Sequence, residues 1–447
     1  MKKWLLFCSI SMVVLSCKCK DDDVEYKNRD ERTLSNPNVI LILGDDIGYE
    51  IPTYTGGQSH STPNIDMMAS GGVRFSNCNA SPLCSPSRYM LLTGKYNNRN
   101  YGETSWGYMP LSYKTIANMM EANGYATCAV GKWQLDGGDA ALKSFGFQNY
   151  AITNPFKEGL VEEGNSFYKN PVVYQDGIYL PASATNGLFG EDVMRNYMFD
   201  YITANKNKKF FIYWAPNLAH APFTPTPDDA EFDSWIPKDN QILADSIYFP
   251  NMIRYYDKEI GLLIGKLNEL NLMQNTVILH IMGDNGTNNN LNNKYKGQII
   301  PGGKTFSTTY GTHVPFIAYS PGNIAPKEIK DMVDFVDFIP AVADLTNMPI
   351  PTFFGALDGF NFTPQIFGEK PTPRDAGFCY YDPNRSGPDT QLAKIWALDG
   401  SYKLYSDGRF YNYVQDPKEK RNLSDGGLLD SEKKIKDNLQ KVIDRYQ

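Results

Sequence analysis

The chain has 447 residues, 42% of them hydrophobic and 21% charged, which suits one large domain able to bury a sizeable core, with room for a smaller appendage. Its formal net charge is -7 and it has no long basic run, so nucleic acid is excluded as a partner, because phosphates demand a positive footprint. An anionic substrate would have to be attracted by local charge.

In chain order, Lys2 and Lys3 precede an apolar stretch, 4–15, and then Ser16-Cys17. That stretch is too short to span a bilayer and reads as an export signal over 1–16. Its ending, Val14-Leu15-Ser16-Cys17, resembles the lipobox of bacterial lipoproteins, which implies cleavage before Cys17 and a lipid anchor on the new N-terminus. A plain signal peptide is the alternative. Residues 17–35 then form a tether whose charged run, Lys18 to Asp23, is solvated. An acidic run in that place resembles the surface-export signal of Bacteroides-type lipoproteins, so the expected location is the periplasm or the outer-membrane surface of a Gram-negative bacterium. Of the seven cysteines, only Cys78, Cys84, Cys128 and Cys379 fall in the folded body. Their spacing indicates neither a disulfide framework nor a zinc site.

Short β-rich apolar runs at 39–43, 126–130, 210–214, 277–282 and 315–319 alternate with helical stretches, which predicts a sheet covered by helices on both faces. Thr62-Pro63 reads as a helix start with Thr62 as the cap, and Gly71-Gly72 as its end. Residues 255–270 form another helix, apolar at Ile260, Leu263, Ile264 and Leu267. The character changes near Arg374. Runs at 392–398, 402–406 and 410–414 are joined by Asp399-Gly400 and Asp407-Gly408, strong hairpin signals, and a helix over 431–447 turns Ile435, Leu439, Val442, Ile443 and Tyr446 to one side. The fold class is therefore α/β: a large central sheet, mainly parallel or mixed, sandwiched by helices over 36–373. A small C-terminal α+β subdomain follows over 374–447, an antiparallel sheet plus a helix.

Two strands run into oxygen-rich turns, Gly44-Asp45-Asp46 and Gly283-Asp284-Asn285-Gly286. Ligands gather beyond the carboxyl ends of strands in α/β sheets, and three carboxylates with an amide suit calcium, or magnesium in a tighter cage, better than zinc. Either turn alone reads more readily as an ordinary turn or helix cap; the two together shift the balance toward a metal site. Cys84 stands just before Ser85-Pro86, read as an N-cap and first helical residue, where exposed amides favour a thiolate. No neighbouring histidine activates it.

Cys84-Ser85-Pro86-Ser87-Arg88, followed by Leu92-Thr93-Gly94-Lys95-Tyr96, resembles the signature of the formylglycine-dependent sulfatases of the alkaline phosphatase superfamily. The resemblance continues through 38–46, Thr62-Pro63-Asn64-Ile65-Asp66, Gly131-Lys132-Trp133, the His220 loop, Gly283-Asp284-Asn285-Gly286 and Asp416-Pro417 to Asn422-Leu423. It implies that a separate maturation enzyme oxidises Cys84 to formylglycine, whose hydrate attacks sulfur. It also implies that Asp45, Asp46, Asp284 and Asn285, with the modified Cys84, hold calcium, magnesium being the lesser candidate. Arg88 would hold the other hydrate oxygen, Lys132 and Lys304 would contact the sulfate, and His220 would protonate the leaving alcohol. A sulfated sugar or glycan is the expected substrate, since 29 Tyr, 24 Phe and 6 Trp offer stacking surfaces.

The chain departs from that pattern in two places. Gln134 stands where the family usually has the histidine that expels sulfate, and an amide is no base near neutral pH. The family's acidic, glycine-rich turn is replaced by 309–315, Thr-Tyr-Gly-Thr-His-Val-Pro, so contacts to the organic part of the substrate differ. Gln134, His60 and His313 are candidate substrate contacts, while His280, inside a strand, is structural. Specificity is expected in the aromatic-rich segments 151–180 and 353–389. Two other functions fit these residues: a phosphodiesterase or phosphonate hydrolase of the same superfamily, and a glycan-binding homologue impaired in catalysis.

Overall fold

The computed structural model describes residues 26–100, 108–135, 138–153, 167–236, 246–383 and 394–447. The expected export segment 1–16, the Cys17 anchor and the acidic run after it lie outside the described residues, as do parts of the two segments expected to carry specificity.

The main sheet contains β1 (Asn38–Leu43), β2 (Val73–Asn79), β3 (Ala126–Lys132), β4 (Asn149–Thr153), β5 (Tyr174–Gln175), β6 (Ile178–Tyr179), β7 (Phe210–Ala215) and β8 (Thr276–Ile281). After a separate hairpin, β9 (Asn292–Tyr295) and β10 (Gln298–Pro301), it is completed by β11 (His313–Tyr319), β12 (Lys327–Ile329) and β13 (Val333–Asp334). The strand order is β12-β2-β11-β8-β1-β7-β3-β4-β5-β6, with β13 also on β2. β1 is central and parallel to both β7 and β8, and β3 and β4 extend the parallel run. β11 is antiparallel to β8 and to β2, so β2 points the same way as β8.

The burial pattern follows from this topology. β1, β7 and β8 are buried along their whole lengths, as near-continuous apolar strands must be when helices cover both faces. Val39, Leu41 and Leu43 enter one core with helices α2 (Cys84–Thr93), α3 (Ile116–Ala122) and α6 (Phe338–Leu345). Ile40 and Ile42 enter the other with α1 (Pro63–Gly71), α4 (Gly190–Ala204) and α5 (Phe249–Glu269). β2 and β4 are not among the strands expected from sequence: β2 alternates only over Val73-Arg74-Phe75-Ser76, and the apolar run of β4 is three residues, Tyr150-Ala151-Ile152. His280 is buried on β8, its Nε2 2.8 Å from the Tyr256 hydroxyl.

Two helix starts differ from the expected ones. Thr62 stands at the N-cap of α1, but its hydroxyl donates to Asp66 and accepts from the Thr53 amide at 3.1 Å. The cap comes from α5, where the Asp257 carboxylate accepts from Asn64 N at 3.1 Å and Ile65 N at 2.9 Å. α2 begins at Cys84 itself, with Leu83 as its flanking residue, so Ser85-Pro86 lies inside the first turn.

The tail folds as expected into β15 (Lys394–Leu398), β16 (Tyr402–Tyr405) and β17 (Phe410–Asn412), to which β14 (Gly377–Tyr381) adds a fourth antiparallel strand. One face of this sheet packs on α7 (Asp430–Tyr446) through Leu404, Phe410, Leu439 and Ile443. The other packs on the main body at Leu83 and Met332. At the opposite end of the chain, Arg32, placed in the tether by sequence, is docked on the body: it pairs with Asp344 and Glu369 and covers the Phe367 ring at 4.5 Å.

Candidate active site

Because β8, β1, β7 and β3 are parallel neighbours, their carboxyl ends open on one edge of the sheet, where ligands gather in this architecture. β1 delivers Asp45 and Asp46, β8 delivers Asp284 and Asn285, β3 ends at Lys132, and the chain leaving β7 reaches His220. β2 points the same way and leads to Cys84. The antiparallel β11 starts at this edge, so the loop before it brings Lys304. The turns after β1 and β8 meet backbone to backbone: a Cβ on Gly44 would lie 2.2 Å from Met282 O, and one on Gly283 2.1 Å from Ile47 O, so only glycine fits.

The side chains form one buried network. Arg88 donates from Nε and Nη2 to Asp284 Oδ2 at 3.0 and 2.7 Å, and from Nη1 to Lys132 O at 2.9 Å and the Tyr213 hydroxyl at 3.2 Å. Lys132 Nζ pairs with Asp45. Lys304 Nζ lies 2.7 Å from the Asp46 carboxylate, which also accepts from Asn285 Nδ2 at 2.7 Å. His220 Nε2 lies 3.8 Å from Asp46 Oδ2. Cys84 is buried at the start of α2, one turn before Arg88.

Two oxygens in this cluster have no partner: Asp45 Oδ1 and Asn285 Oδ1 are buried without a hydrogen bond. A buried unpaired acceptor is costly, and two of them beside Asp46 and Asp284 fit a cation with oxygen ligands. Among the described residues, Asp45, Asp46 and His220 also bring ligand atoms within 4.8 Å of one another. Burial would raise the Asp46 carboxyl, but Lys304, His220 and Lys132 carry it well below the usual carboxylate range. Burial and the neighbouring Asp45 charge instead lift Asp284 to about 6 against the pull of Arg88. Burial, then Lys132 and Lys304, push His220 down to about 3. A divalent cation there would join three carboxylates already faced by Arg88, Lys132 and Lys304, leaving net positive charge for an anionic substrate.

The other sequence candidates lie as follows. Gln134, in left-handed backbone at φ +52°, accepts from Ser85 Oγ at 3.4 Å through its carbonyl and has its Oε1 buried without a partner. His60 bonds Asn293 at 2.9 Å and packs edge-on to Phe249. His313 stacks on Tyr49 and bonds Ser76 O at 3.0 Å. The partners of these two rings are not the residues that converge on the site. Sequence reasoning missed Tyr213, Tyr168 and Glu191. The Tyr168 hydroxyl lies 2.8 and 2.7 Å from Asn217 O and His220 O, between which its one hydrogen is shared, and Glu191 accepts from Asn217 N at 2.8 Å, which steadies the loop carrying His220. Glu191 stands 29 positions before His220 in the chain, and no local motif marks it.

The sulfatase family profile matches residues 37–348, and the chain belongs to the sulfatase family. It is a sulfuric ester hydrolase. It is 28% identical over 403 residues to human arylsulfatase A, covering 83% of this chain and 74% of that protein. It is 27% identical over 419 residues to mouse N-acetylgalactosamine-6-sulfatase, with the same coverages of 83% and 74%. A solved structure described in the metabolism of multiple glycosaminoglycans by Bacteroides thetaiotaomicron superposes with a TM-score of 0.71 at 21% identity. That match covers 92% of this chain and 99% of the other.

Proposed function

We propose that this hydrolase removes sulfate from a sulfated sugar or glycan, using a formylglycine derived from Cys84 and a calcium ion held by Asp45, Asp46, Asp284 and Asn285. The observation that carries the reading is the convergence of Arg88, Lys132 and Lys304 on an oxygen-rich cluster beside Cys84 at a helix N-terminus. The names of the relatives support a sugar sulfate, and the lipobox-like 14–17 supports an anchored, exported enzyme that a separate maturation enzyme must supply with its formylglycine.

In this reading the modified Cys84 with its calcium supplies the nucleophile and polarises the sulfate. The rest is done by fixed side chains. Lys132, buried, and Lys304, mostly buried, bind the sulfate oxygens as ammonium groups in surroundings of low dielectric, where such contacts are stronger than in water. Arg88, one turn past Cys84 on α2, is a rigid fork aligned by Asp284 and the Lys132 carbonyl and would hold a hydrate oxygen of the modified Cys84. Burial, ahead of the two ammonium charges, depresses His220; a bound sulfate would offset the charge part and so shift the ring toward the protonated form a leaving alcohol needs. Gln134 donates an amide hydrogen bond to sulfate and supplies no base for its release.

The test is twofold. The mass of the peptide containing Cys84, from the native host, should show the thiol replaced by an aldehyde. The converted protein should release sulfate from at least one member of a panel of sulfated saccharides or from an aryl sulfate. Faster hydrolysis of phosphate diesters would favour the phosphodiesterase reading instead. Saccharide binding without turnover at complete conversion would leave a glycan-binding homologue, which the absence of an imidazole at Gln134 favours.

A further inference from the structure

Several hydrogen bonds anchor the loop that carries Lys304, and one set of them belongs to the C-terminal sheet. Lys304 N donates to Thr287 O at 2.9 Å, two residues past Asn285, and Thr305 N donates to Pro82 O at 3.0 Å, two residues before Cys84. Thr305 has φ +72°, a conformation that a β-branched residue keeps only when its surroundings over-determine it. A further anchor is Ser307. Its carbonyl accepts from the Lys403 ammonium on β16, and its hydroxyl oxygen lies 3.0 Å from the Tyr405 hydroxyl on the same strand. Glu419 closes the group, 2.9 Å from Lys403 Nζ and 2.5 Å from the Tyr405 hydroxyl.

The side chains of Lys403 and Glu419 are 1% and 6% exposed, and the ammonium lies over the Trp396 and Tyr405 rings at 4.5 and 4.7 Å. A buried ion pair is a weak source of net stability, because desolvation offsets the attraction; packed apolar residues would serve as well. What this pair supplies is direction. The ammonium is held by a carboxylate and two aromatic faces, and one of its hydrogens meets a single carbonyl, three residues beyond Lys304.

We propose that Lys403 and Glu419 are positioning residues for Lys304: the C-terminal sheet clamps Ser307 and so fixes the loop that presents the Lys304 ammonium to sulfate. The inference rests on the reading of Lys304 as a sulfate contact. It makes the appendage a working part of the active site, through a bond and not through a residue that touches substrate.

The test uses the full-length chain co-produced with a formylglycine-generating enzyme, as wild type, Lys403→Met, Tyr405→Phe and Lys304→Ala. kcat and KM on an aryl sulfate, inhibition by inorganic sulfate and the thermal midpoint are measured for each. A misplaced catalytic group costs on the order of 10- to 100-fold, so Lys403→Met should lose about that much kcat/KM and sulfate inhibition should weaken in parallel; Tyr405→Phe should follow in the same direction with a smaller change. A folded Lys403→Met protein with a lowered midpoint but wild-type kinetics and sulfate inhibition overturns the proposal. If Lys403→Met does not fold, Tyr405→Phe decides in its place, and wild-type sulfate inhibition there overturns it. Lys304→Ala separates the two failures: retained sulfate inhibition sinks the reading of Lys304 itself, whereas its loss beside an unaffected Lys403→Met sinks only the clamp.

Discussion

Arg88 is fully buried and spends its guanidinium on Asp284, the Lys132 carbonyl and the Tyr213 hydroxyl. Breaking a buried pair by removing one partner is far costlier than the pair is worth, since the remaining charge stays buried. Arg88→Ala should therefore destabilise the chain by about 3–5 kcal/mol, read as a lower urea midpoint; an unchanged midpoint would contradict the fork geometry. Gln134 makes the opposite kind of prediction. Its left-handed backbone is one that histidine tolerates better than most side chains, so Gln134→His should fold. If expulsion of sulfate limits turnover, kcat rises and KM stays level; a fall in kcat would show that the chain releases sulfate by another route.

At the scale of elements, a helix is held by a residue from its neighbour. Asp257 of α5 accepts the first free amides of α1, while Thr62, in the cap position, turns its hydroxyl to Asp66. Losing an N-cap acceptor costs typically about 1 kcal/mol. Asp257→Ala should lose about that in chemical denaturation and Thr62→Ala less; the reverse ranking would return the cap to Thr62. The same logic of donated partners applies at β1, whose Asp45 and Asp46 lie at the site because β7 and β8 flank it in parallel register.

Across the whole molecule, two bulk measurements report on the cation site and on buried charge. A ligand that binds only the folded state stabilises it by about 2.7 kcal/mol at a hundred times its Kd. Added calcium should raise the thermal midpoint, a chelator should lower it, and Asp45→Asn should blunt both responses. Remote from the site, Asp334 is buried with one carboxylate oxygen unpartnered, and burial lifts it to about 7 in spite of Arg374. An acid raised in the folded state favours folding while it stays protonated. Its contribution is therefore full below the unfolded value near 4 and lost as pH rises toward 7. Asp334→Asn should gain midpoint relative to wild type between pH 5 and pH 8, and a constant difference across that range would refute the assignment.

The central strands, the hairpin turns of the tail and the motif around Cys84 were legible in the sequence because each is a local pattern: apolar runs, Asp-Gly turns, a short ordered signature. The metal turns were legible as candidates, since oxygen-rich residues after strands have few other readings when they occur twice. Partnership was not legible. That Asp257 caps α1, that Tyr168 and Glu191 steady the His220 loop, that Lys403 reaches Ser307, and that His60 and His313 face Asn293 and Ser76 are facts about residues far apart in the chain. Sequence patterns report which face a side chain takes on its own element; only the packing of elements decides which distant donor an acceptor meets.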